Sequence, residues 1–123
     1  MRILADTHVL LWWLADDPAL PAHQRDALAD EHNDVFFSAV SISEIAIKAS
    51  LGKLEAPADP TAALLSGGFE ALPLTAAHAE RLRDLPGHHK DPFDRMLVAQ
   101  AQCEGLVVAT LDSQIGAYAV DVL

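Results

Sequence analysis

Four acids in this chain stand where chemistry is easily built: Asp6, Glu44, Asp94 and Asp112. Asp6 and Asp112 follow apolar runs, while Glu44 and Asp94 fall near the starts of helical stretches. Carboxylates that converge in one apolar-walled cleft repel each other, and left alone some take up protons. A divalent cation removes that conflict. Hard oxygen ligands without a thiolate suit Mg²⁺ or Mn²⁺ better than zinc. Such a cation can bind a phosphate oxygen, lower the pKa of a water and stabilise charge building up on phosphorus. The chemistry to expect is hydrolysis of a phosphodiester or a phosphomonoester.

Each acid also has a plain structural explanation. Ser41-Ile42-Ser43-Glu44 has the spacing of a capping box, with Ser41 as N-cap and Glu44 at the third helical position. Glu44 can also pair with Lys48 one turn on. Asp94 is an ordinary first-turn acid of the kind the helix dipole favours. Asp91 reads first as an N-cap. Asp112 fits a turn before a short helix. Asp6 is the hardest to explain away, because a charge just past a buried strand needs a partner. The argument for a shared site rests on the set.

The elements that must position these acids are legible in outline. Arg2-Ile3-Leu4-Ala5 is an apolar run without a polar face, which marks a strand buried on both sides. The stretch Val9 to Leu14 reads as a helix, so Asp6 ends the first half of a βα unit. Ala22 to Glu31 reads as a short, mostly exposed helix, and Val35 to Ala39 as a second strand. A helix follows from Ser41 and ends near Gly52. Thr61 to Leu65 suggests a short helix, Phe69 to Leu74 a third strand, and Thr75 caps a helix running to about Asp84. Asp91-Pro92 restarts a helix as N-cap and first position, and that helix runs through Glu104 to Gly105. Leu106 to Ala109 is a fourth buried strand. Ser113 to Ala117 is a helical turn, and Ala119 to Val122 a last strand.

This alternation favours an α/β fold in one domain spanning residues 1–123. If the strands run parallel, Asp6, Glu44 and Asp112 share one edge of the sheet. Asp94 lies on a helix that precedes a strand, and is expected near the opposite edge unless the loop before it carries the chain over.

Composition narrows the function. The 123 residues carry a net charge of −10, which argues against a generic nucleic-acid binder with basic patches. It suits acids gathered around a cation, or a basic partner, or simple solubility. The single cysteine, Cys103, excludes an internal disulfide and fits a reducing compartment. No signal peptide or membrane-length apolar stretch is visible, so the expected location is the cytoplasm.

Other residues invite weaker readings. His88-His89 resembles half a metal site, but no acid has fixed spacing to it, and a loop pair facing substrate or solvent is the expectation. His8 and His78 are expected on the surface or on helix faces, and Cys103 as a small core residue. Adjacent Trp12 and Trp13 cannot both face one core, so either one ring serves an interface or the following loop covers both.

Longer stretches resemble a known family. Leu4-Ala5-Asp6-Thr7-His8-Val9-Leu10-Leu11-Trp12 resembles the start of PIN-domain proteins, and among them the VapC-type toxins of bacterial toxin–antitoxin pairs. Ser38 to Lys48 and Gly52-Lys53-Leu54 resemble the second acidic segment. His88-His89-Lys90-Asp91-Pro92-Phe93-Asp94-Arg95 and the residues through Ala101 resemble the third, which is the most specific. Thr110-Leu111-Asp112 resembles the looser fourth.

The resemblance implies a three-layer α/β/α sandwich with a parallel sheet of about five strands, the first strand central. It implies an endoribonuclease dependent on Mg²⁺ or Mn²⁺, in which a metal-activated water cleaves RNA. The family's acidic positions fall on Asp6, Glu44, Asp94 and Asp112, as catalytic residues and metal ligands, with Thr7 and Thr110 as hydroxyls near the site. It brings Asp94 into the same pocket. It also implies a homodimer or a hetero-oligomer with a small VapB-like antitoxin. Two other readings of the chain stand beside it: a catalytically silent PIN-like or flavodoxin-like binding module, and a small metal-dependent phosphomonoesterase.

Overall fold

The computed structural model describes residues 1–123. Four strands, β1 (Arg2–Ala5), β2 (Asp34–Ser38), β3 (Glu70–Leu72) and β4 (Val107–Ala109), form a parallel sheet in the order β3-β2-β1-β4. β1 is thus an interior strand. It pairs Ile3 with Val35 on one side and with Val107 on the other. The expected last strand is reduced to one parallel bridge, Val108 with Val122. Only the hydrogen bonds from Val108 N to Asp121 O and from Leu123 N to Val108 O hold that segment against β4.

The helices are α1 (Thr7–Leu14), α2 (Ala22–Ala29), α3 (Ala39–Ser50), α4 (Pro60–Ser66), α5 (Ala76–Arg81), α6 (Pro92–Glu104) and α7 (Ser113–Gly116). A single 3₁₀ turn, Leu82–Asp84, completes the run that begins at α5. They cover both faces of the sheet, and the period-two alternation of β1 shows how. Ile3 and Ala5 point into a core with Val9 and Leu10 of α1, Leu28 of α2 and Leu64 of α4. Leu4 points the other way, into a core with Leu97, Val98 and Ala101 of α6 and Ile115 of α7. This is the three-layer α/β/α arrangement. No helix is long and apolar enough to cross a membrane.

Three local expectations change. The cap of α3 is Ser38, whose hydroxyl accepts from Val40 N at 3.0 Å, so the helix begins before Ser41. Ser41 lies inside it, buried, and accepts a hydrogen bond from the Thr7 hydroxyl at 2.9 Å. Glu44 therefore sits in the second turn of α3, not at the third position of a capping box. Starting early lets Val40 enter the core beneath.

The direction of α6 is the second change. A helix that feeds a parallel strand runs against the sheet, so it starts at the carboxyl edge and ends at the amino edge. Its last residue, Glu104, accepts from Arg2 Nη1 at 2.8 Å through its backbone oxygen, at the very start of β1. Thirteen residues at about 1.5 Å each span roughly 20 Å, more than the roughly 13 Å of the four-residue β1. Asp94 begins at the edge where Asp6 ends, and the run after His78, which meets Glu104, carries the chain back there through Leu82 and Leu85 beside Arg95.

Third, two residues exchange burial. His78 is 1% exposed: its Nδ1 accepts from Thr75 N and its Nε2 lies 2.8 Å from Glu104 Oε1, pinning α5 to the end of α6. Cys103 is exposed on α6. Both Trp12 and Trp13 are half-buried; Trp13 packs on Phe69 with ring centres 5.2 Å apart, and Trp12 lines a groove between α1 and residues 54–57.

Candidate active site

Each acid is delivered to the carboxyl edge by a local device. The backbone N–H of Asp6 still belongs to the sheet, donating to Ala109 O at 3.0 Å. Its side chain has already turned to cap α1, with Oδ1 accepting from Val9 N at 2.9 Å. Asp91 caps α6, accepting from Phe93 N at 2.8 Å, with Pro92 at the first position. That places Asp94 in the first turn. Asp112 caps α7 through Oδ1, which accepts from Gln114 N at 2.9 Å, and its own N–H donates to the Thr110 hydroxyl. Glu44 reaches the same region from α3, where the buried Thr7–Ser41 hydroxyl pair ties α1 to α3.

The charges sense one another. Burial pushes the Asp6 carboxyl above its usual range; the Thr110 hydroxyl, the Val9 N–H and His8 pull it back, and Asp112 adds repulsion. Asp94 is pushed up to about 6, first by burial and then by Asp91, with Glu44 and Asp6 adding to it and His89 opposing. Asp6, Glu44, Asp94 and Asp112 thus lie within electrostatic reach in one region, and burial makes the negative charge of Asp6 and Asp94 expensive there.

Two nitrogen groups already stand against the acids. Lys48 Nζ is 2.6 Å from Glu44 Oε2, and Glu44 holds the Lys48 amine above its usual range, with Asp91 and Asp94 adding to the effect. His89 Nε2 is 2.9 Å from Asp112 Oδ2 and 3.0 Å from Asp94 Oδ2. By sequence the pair is expected to face substrate or solvent, but His89 is turned onto two acids. Its partners lie 5 and 23 residues away in sequence, too irregular a spacing to read. His88 turns aside and meets the Tyr118 ring edge-on.

Arg95, without an evident partner in sequence, holds the loop before α6. Its guanidinium donates to Pro86 O at 2.8 Å, to the Tyr118 oxygen at 3.1 Å, and to the carbonyls of Leu82 and Leu85 at 3.4 Å. The signal that could have found it was its place in the first turn of a helix just after an irregular loop rich in carbonyls.

The fit of a cation can be judged on one atom. Glu44 is 3% exposed, and its Oε1 is buried without any hydrogen-bond partner. A buried carboxylate oxygen left bare costs free energy that a positive ligand would recover. Asp94, within electrostatic reach of Glu44, offers carboxylate oxygen as well, a donor that matches a hard divalent ion.

Comparison with known proteins bears on the chain as a whole. The family described as PIN domain matches residues 3–121. No curated protein sequence matches the chain. Among solved structures, VapBC2 from Rickettsia felis, bound to a promoter DNA fragment, superposes with a TM-score of 0.73 at 13% identity, covering 100% of this chain and 97% of the other. DNA-bound VapBC from Salmonella typhimurium gives 0.71 at 19% identity, with 100% and 97% covered. FitAcB from Neisseria gonorrhoeae gives 0.63 at 22% identity, with 98% and 96% covered. At these identities the likeness is one of fold.

Proposed function

Since the chain belongs to the PIN-domain family, we propose that it is a divalent-metal-dependent endoribonuclease, acting in the cytoplasm as the toxin of a toxin–antitoxin pair. The observation that carries this reading is the strained charge at the carboxyl edge. Asp94 is pushed up to about 6 by burial and three neighbouring acids, and Glu44 keeps a buried oxygen bare. Such a cluster is costly unless something cationic belongs in it.

Asp6, Glu44, Asp94 and Asp112 would hold Mg²⁺ or Mn²⁺. When bound, the cation supplies Lewis acidity toward a phosphate oxygen and lowers the pKa of a water. The chain's own contribution is placement. Asp6 keeps one oxygen on the Val9 N–H, which fixes the direction of the other. Lys48 neutralises one oxygen of Glu44 and leaves the second free. The N-termini of α1, α3 and α6 lie at this edge, and their helix dipoles favour a phosphate group arriving there. With 8 basic residues against 18 acidic ones, long-range attraction for RNA is weak. Recognition then depends on local shape or on a groove between two copies in a homodimer.

The partner is read from the fold relatives. The Rickettsia felis and Salmonella typhimurium structures are VapBC assemblies, and we place this chain in the VapC position beside a VapB-like antitoxin. A net charge of −10 suits a partner with basic residues.

The test is cleavage of RNA by the purified chain with Mn²⁺, with Mg²⁺ and after chelation, alongside a chromogenic phosphate ester. RNA cleavage that needs the cation supports the reading. Cleavage of the ester alone makes the protein a phosphomonoesterase. Neither activity, with no stabilisation by cation, leaves a binding module.

A further inference from the structure

The nuclease reading leaves His89 without a task, yet it stands against two of the acids. Its ring is 11% exposed, and its two nitrogens face opposite kinds of group. Nδ1 accepts from the backbone N–H of Asp91 at 3.2 Å. A nitrogen that accepts carries no proton, so this hydrogen-bond pattern puts the ring's proton on Nε2. Nε2 donates to Asp112 Oδ2 at 2.9 Å and lies 3.0 Å from Asp94 Oδ2.

His89, Asp94 and Asp112 are close enough together to hold an ion as three ligands. The ring is turned the wrong way for that role. A ligating Nε2 has to be bare, and the Nδ1–H then needs an acceptor. Here Nδ1 meets a donor instead. His89 is arranged to donate a hydrogen bond, not to ligate.

The arrangement behind it is firm. The backbone N–H of His89 donates to the Tyr118 oxygen at 2.9 Å, and Arg95 donates to the same oxygen at 3.1 Å. The other oxygen of Asp112 is taken by the cap of α7. With His89 in place, both oxygens of Asp112 are therefore occupied.

We infer that His89 is a positioning residue that closes the acid cluster from within: its Nε2–H ties Asp112 to Asp94, and an arriving divalent cation displaces it from those oxygens. His89 is then a competitor of the cation and not one of its ligands. The idea rests on the cation-dependent reading above, and extends it to the order in which the site opens.

Calorimetric titration of the full chain with Mn²⁺ tests it. His89→Ala removes the donor and should bind Mn²⁺ about tenfold more tightly than wild type, the scale of one hydrogen bond to a charged group. His89→Gln, whose side-chain amide can place an N–H near the Nε2 position, should return toward wild-type affinity. Equal affinity in wild type and His89→Ala overturns the proposal. Weaker binding by His89→Ala also overturns it, since a ligand would behave that way. Should His89→Ala fail to fold, a second readout on the wild type decides. The ¹⁵N signal of His89 Nε2 should shift when Mg²⁺ is added, as the hydrogen bond to Asp112 is released. An unmoved signal at saturating Mg²⁺ overturns the proposal. Wild type that binds Mn²⁺ while the His89 predictions fail leaves the nuclease reading standing. Absence of binding in wild type and both variants removes the two together.

Discussion

Lys48 Nζ lies 2.6 Å from Glu44 Oε2, one turn along α3, and the other oxygen of Glu44 has no partner. The pair is asymmetric: Glu44 is 3% exposed, whereas the lysine side chain is 39% exposed. Lys48→Met would leave the buried carboxylate uncompensated. The expected loss is about 1–2 kcal/mol, less than for a fully buried pair because water reaches the lysine. Thermal melts in chelator should show the loss, and saturating Mn²⁺ should recover more stability in this variant than in wild type.

Asp6→Asn keeps an oxygen for the Val9 N–H, since asparagine caps helices as aspartate does. The fold should survive. Removing a charge that burial disfavours should raise metal-free stability by about 1 kcal/mol. Cation-dependent RNA cleavage should fall at least about a hundredfold. Full cleavage by this variant would falsify the assignment of Asp6.

Asp94 gives stability a pH slope with a definite sign. Its carboxyl is pushed from 3.8 up to about 6 in the folded chain. Between those values the folded chain holds more protons than the unfolded one, so stability falls as pH rises through that window. The loss reaches about 2 kcal/mol and persists above it, after allowance for the partly open site. Urea titrations between pH 4 and 7 should show the slope without cation. Asp94→Asn should flatten it, as should saturating Mn²⁺.

Arg95 holds the loop before α6 by five hydrogen bonds, to four carbonyls and the Tyr118 oxygen. Arg95→Ala should cost about 2 kcal/mol. Hydrogen exchange should speed up over residues 85–91 while α1 and α3 keep their protection. Unchanged exchange in the loop would show that the guanidinium is not what orders it.

His78 provides a control away from the acids. It is buried between Thr75 and Glu104, at the amino edge of the sheet. His78→Ala should destabilise by about 2–3 kcal/mol through a cavity and lost hydrogen bonds. At a temperature where it remains folded, its Mn²⁺ affinity should equal that of wild type by calorimetry.

Much of the fold was readable because the deciding signals were local. Ile3 to Ala5 could only be a doubly buried strand, and Asp91-Pro92 with Gly105 bounded α6 at both ends. The alternation of elements indicated an α/β fold, and the parallel sheet with β1 inside it was implied by the family resemblance. What could not be read depended on which face a residue turns toward the rest of the protein. His78 and Cys103 exchanged places for that reason. Ser38 and Ser41 both have the chemistry of a cap, and the choice fell to packing, since an early start buries Val40. The place of Asp94 was misread by treating a helix before a strand as starting at the wrong edge; in a parallel crossover it starts at the right one. The partners of His89 come from α6 and from the turn after β4, and no spacing announces such a meeting.

The hydrogen bond from Asp6 N to Ala109 O has a consequence for timing. The first acid in the chain is seated by the last of the four strands to be made. Asp6, Glu44, Asp94 and Asp112 come from four separate stretches, and Asp112 is the last of the four to be made. A growing chain therefore cannot assemble the cluster before Asp112 has been made. If the protein cuts RNA, it is inert on its own messenger until β4 docks, and whatever restrains it need recognise only the finished fold.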